Sequence, residues 1–77
     1  MNTNISLPQE LVQLLDYLNT DLENVPLRLS IFDLALRYRQ YSIASEQIDY
    51  VLQSEPDNLD WRFRHAVLLL ECCFRLI

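Results

Sequence analysis

The sequence predicts an all-α fold of antiparallel helical hairpins, about four helices in one small domain. Three observations carry this. Glycine is absent from all 77 residues, and tight hairpin turns and phosphate-cradling loops need a residue that tolerates positive φ. Apolar residues recur at spacings of three and four along most of the chain. Each periodic stretch is preceded by a capping residue or closed by a proline.

The first stretch opens with Ser6-Leu7-Pro8-Gln9. Serine can cap, proline suits a first helical turn and glutamine completes a capping box. Leu7, Leu11, Leu14, Leu15, Leu18 and Leu22 then share one face, with Gln9, Gln13, Asp16 and Thr20 opposite. Helix one is expected over about 7–20, behind a flexible N-terminus at 1–6. Asn24-Val25-Pro26 repeats the start signal for helix two, about 25–39. One of its faces carries Leu27, Ile31, Leu34, Ala35 and Tyr38, and another Leu29, Phe32 and Leu36. A helix apolar on two sides is covered on two sides.

Ser42 is the candidate cap for helix three, about 43–54, with Ala44, Ile48, Val51 and Leu52 as its buried stripe. Pro56 ends it, because the residue before a proline avoids helical angles. Asp57 or Asn58 then caps helix four, from about 59 to the end. That helix is apolar nearly all round, so the pattern predicts burial on most of its sides. A chain this short cannot easily cover it alone.

Composition removes several classes of function. A net charge of −5 and a pI near 4.5 do not suit a nucleic-acid binder, which needs a basic face. The N-terminus lacks the basic-then-apolar pattern of a secretory signal. The run Ala66–Leu70 is far below the ~20 residues that span a bilayer. The cytoplasm is the expected compartment, without membrane insertion. Without glycine, dinucleotide and P-loop fingerprints are excluded. His65 and Cys72 lie two turns apart on a helix, ~10 Å, and adjacent Cys72 and Cys73 diverge by about 100°. No metal, cofactor, catalytic residue or small-molecule substrate is expected from that spacing. Arg28, Arg37, Arg39, Arg62 and Arg64 read mostly as solvated, or paired with Asp33, Asp60 and Glu71.

The segment from Leu27 to Pro56, continuing into Ala66, resembles a tetratricopeptide repeat (TPR) followed by the first helix of another. Ile31, Tyr41, Ala44, Ile48, Val51 and Pro56 stand at that family's spacing, and Ala66 stands where the next repeat carries its small residue. Two positions depart from it: Phe32 replaces a small residue, and Arg39 replaces the usual turn glycine. About one and a half repeats are visible, whereas arrays need roughly three for stability. Helix one is then a cap or half of a degenerate earlier repeat.

The resemblance implies a concave surface lined by Leu29, Asp33, Leu36 and Arg37 from helix two. Helix four adds Asp60, Phe63, Val67, Leu70, Glu71 and Phe74. A lining this apolar suits the face of an amphipathic partner helix, unless helix one folds back into the groove. Short acidic helical chains of this kind resemble the small TPR-like chaperones of bacterial type III secretion. On that resemblance the expected function is a non-catalytic chaperone or adaptor holding a partner's amphipathic helix, such as that of a secretion-system subunit. The alternatives are a self-associating scaffold and the N-terminal part of a longer TPR protein.

Overall fold

The structure is a computed structural model that describes the backbone over residues 7–76 and side chains over 7–72. The chain is all-helical: α1 spans Gln9–Asn19, α2 Val25–Arg37, α3 Tyr41–Ser54 and α4 Leu59–Leu76. The helices pack in chain order, α1 on α2, α2 on α3 and α3 on α4. The array measures 42 × 37 × 15 Å. Each helix packs on its neighbours in the chain, and α2 also meets α4 through one ring contact.

Local signals set the helix starts in two of four cases. The Asn24 side-chain oxygen accepts from the Leu27 amide at 2.9 Å and opens α2, with Pro26 in the first turn. The Asn58 oxygen accepts from the Trp61 amide at 3.2 Å and opens α4. The proposed Ser6 cap and the flexible N-terminus lie outside the described residues. α1 begins after Pro8, and Leu22, expected on its apolar stripe, falls beyond its end and is exposed.

α3 begins at Tyr41, so Ser42 lies inside the helix and is not its cap. The cause lies in the preceding turn. Arg39 has φ of +59°, in the left-handed region. The Gln40 amide reaches back to the Ala35 carbonyl at 2.7 Å and the Arg39 amide to the Leu36 carbonyl at 3.0 Å, the two bonds of a Schellman motif. Chain direction reverses within Tyr38–Gln40, and the Gln40 carbonyl already accepts from the Ala44 amide. Arginine occupies a position that suits glycine, at a cost of about 1–2 kcal/mol. Arg39→Gly is therefore expected to raise stability by about 1 kcal/mol and the melting midpoint by about 4–8 °C. A lowered midpoint in thermal unfolding would mean that the arginine side chain compensates for its backbone.

The core is one continuous cluster: Leu11 and Leu18 from α1, Ile31, Phe32 and Ala35 from α2, Ala44, Ile48 and Val51 from α3, and Trp61 and Leu68 from α4. Ala35 and Ala44 are fully buried on adjacent helices, where small side chains permit close backbone approach. Phe32 and Trp61 meet edge to face, centroids 5.9 Å apart, which brings α2 and α4 into touch across the array.

Candidate partner-binding surface

α4 is held by one face, not on most sides as its composition predicts. Trp61 and Leu68 are buried, whereas Leu59, Phe63, Leu69 and Leu70 are 77%, 70%, 53% and 61% exposed. α3, and α2 through Phe32, meet α4 on the Trp61 and Leu68 side, and no periodicity argument could reveal that. Ala66, expected to sit at a close helix crossing, is exposed as well.

The remaining predicted lining residues distribute as follows. Leu29 and Leu36 are half-buried on α2, packed against the core. Asp33 and Arg37 are exposed on the same helix. On α4, Val67 and Glu71 are half-buried and Asp60 is exposed. Phe74 lies outside the described side chains. α1 packs on α2, so the idea that helix one fills a groove between α2 and α4 finds no support in the packing order. The structure thus offers two apolar stretches, one on the flank of α2 and a more exposed one on α4, the latter on the side of α4 away from the Phe32–Trp61 contact.

A polar cluster escaped the sequence reading. Arg28 is 5% exposed rather than solvated. Its Nε donates to the Leu22 carbonyl at 2.9 Å and its Nη1 to the Gln47 side-chain oxygen at 2.8 Å. Its guanidinium lies over the Tyr50 ring, 3.5 Å from the centroid. Gln47, buried on α3, in turn donates to the Ile43 carbonyl at 3.0 Å. The cluster ties the turn after α1, α2 and α3 together with directional bonds. No nearby carboxylate marks Arg28 in the sequence, and its partners Gln47 and Tyr50 are 19 and 22 positions away.

Beside this cluster Glu23, Val25, Tyr50, Val51, Ser54 and Glu55 line a cleft of ≈ 260 Å³. The Ser54 hydroxyl in this lining donates to the Tyr50 carbonyl at 3.5 Å. Among the described residues no three His, Cys, Asp or Glu side chains converge as a metal site would require. No described helix is long and apolar enough to cross a membrane. No protein-family model, curated protein or solved structure matches the chain.

Proposed function

We propose that this chain is a non-catalytic protein-interaction module that takes up the apolar face of a partner's amphipathic helix along α4. The observation that carries the reading is the exposed row on α4. Leu59, Phe63 and Leu70 stand more than half in water on one face of a helix anchored from behind by Trp61 and Leu68. Covering the exposed parts of those three contributes about 3–6 kcal/mol from this side alone. Association itself costs ~4–15 kcal/mol, so the partner must bring a matching apolar face.

The TPR-like reading draws support from three features: helices packing in chain order, a left-handed residue at Arg39 where that family carries a glycine, and the fully buried Ala44 in the α2–α3 hairpin. With it come a chaperone or adaptor role and a secretion-system subunit as client, in the cytoplasm. Such a client helix would be kept from self-association by being covered.

The test uses a fluorescein-labelled synthetic helix with leucine on one face and glutamate and lysine on the other, followed by anisotropy. Leu70→Asp is expected to weaken binding at least about tenfold, because a carboxylate would have to be desolvated in an apolar contact. Helicity and melting midpoint should hold, since Leu70 is mostly exposed. Undiminished binding by a folded variant would remove α4 from the binding surface.

A further inference from the structure

The exposed row on α4 has a register. At 100° per residue, Leu59, Phe63, Ala66 and Leu70 fall within about 60° of one another and point opposite to Trp61 and Leu68. Their spacing of four, three and four is that of alternating core positions in a coiled coil. All four are exposed.

We propose that a second copy of this chain covers this face, with the two α4 helices antiparallel. The order of side-chain sizes carries the orientation. In an antiparallel pair centred between Arg64 and His65, Leu59 meets Leu70 of the second copy and Phe63 meets Ala66. Every layer then repeats by two-fold symmetry, with large against small in the inner layers. A two-fold interface requires that self-complementarity. In a parallel pair phenylalanine faces phenylalanine and alanine faces alanine, leaving one layer overfilled and the next underfilled.

Charge selects the same face. The whole chain carries −5. α4 holds only Asp60 and Glu71 against Arg62, Arg64 and Arg75, for +1, so the rest of the chain carries −6. α1 carries −2 (Glu10 and Asp16) and α3 carries −2 (Glu46 and Asp49), so two copies repel through either of those helices, while α2, at +1 like α4, is already packed between α1 and α3. The area sets the strength. A seam of one helix per copy falls at the low end of specific interfaces, below about 1,200 Å² in total, so the dimer forms reversibly with concentration.

The proposal rests on reading α4 as the binding helix, and it adds that client and copy compete, because Phe63 and Leu70 serve both. Sedimentation velocity on the full chain across a wide concentration range tests it, using Leu59→Lys and Leu70→Glu. Both positions are exposed in the single chain, and circular dichroism confirms folding. The parent is expected to pass from monomer to dimer, and each variant alone to associate at least about tenfold more weakly. An equimolar mixture of the two should recover a one-to-one dimer, since lysine then meets glutamate only in the antiparallel register. A parent that is monomeric throughout, variants that associate like the parent, or a mixture that fails to recover would each overturn the proposal. A monomeric parent that binds the synthetic helix would overturn the dimer and leave the module. A dimer that binds no synthetic helix would do the reverse.

Discussion

Arg28→Met is expected to destabilise the chain by about 3 kcal/mol, a larger effect than its conservative volume suggests. Methionine fills much the same space, so packing alone predicts a small change. The loss comes from what arginine satisfies. Without it the Gln47 side-chain oxygen, on a residue 1% exposed, loses its donor, while the Leu22 carbonyl, on an exposed residue, passes to water. Each buried unsatisfied group costs ~1–3 kcal/mol. The stacking on Tyr50 is lost too, which contributes about 0.5–2 kcal/mol. The companion variant decides the cause. Arg28→Met with Gln47→Met removes both partners, and replacing a buried polar pair by apolar residues of similar volume is often neutral or stabilising. Urea unfolding of both variants is the check. If the double variant is as unstable as the single one, the cluster acts through packing and the hydrogen-bond argument fails.

Trp61→Ala is expected to cost about 3–5 kcal/mol, the range for emptying a buried aromatic site. That is a large share of the ~4–12 kcal/mol available to a chain of this length. Trp61 is 3% exposed, meets Phe32 edge to face and carries the Arg64 guanidinium 5.3 Å from its ring centroid. With Leu68 it forms the anchor of α4 on the row. The loss should therefore be uneven. Amide exchange in α4 should rise well before exchange in α2 and α3, which keep Ile31, Ala35, Ala44, Ile48 and Val51 between them. Binding of the synthetic helix should fall with it, because a loosened α4 no longer presents Phe63 and Leu70 on a fixed surface. Uniform loss of protection along the chain would mean that the row unfolds as one unit and that α4 is no separable arm.

Much of the architecture is legible in the residues. Asn24 before Pro26, and Asn58 after Pro56, announce helix starts within three residues of themselves, and both caps form where that chemistry places them. The stripe of Ala44, Ile48 and Val51 is wholly buried. Ser42 failed as a start because a competing bond pattern arrived first. A left-handed Arg39 closed α2 and let α3 begin at Tyr41, and an arginine gives no warning of a positive φ. The candidate surface was half legible. Phe63 and Leu70 were expected on it and are exposed, while Leu59 was overlooked because it sits in the first turn.

The sequence by itself determined the helical class, the number of helices and the stripes that could be buried, because caps, proline stops and apolar spacing act within one or two turns of the chain. Only the tertiary structure decided which stripes are covered. It buried Arg28 by carrying Gln47 and Tyr50 to it across the hairpin, and it left the far side of α4 exposed by packing that helix only through its Trp61 and Leu68 side. Both outcomes depend on neighbours distant in the chain, and local periodicity holds no information about them.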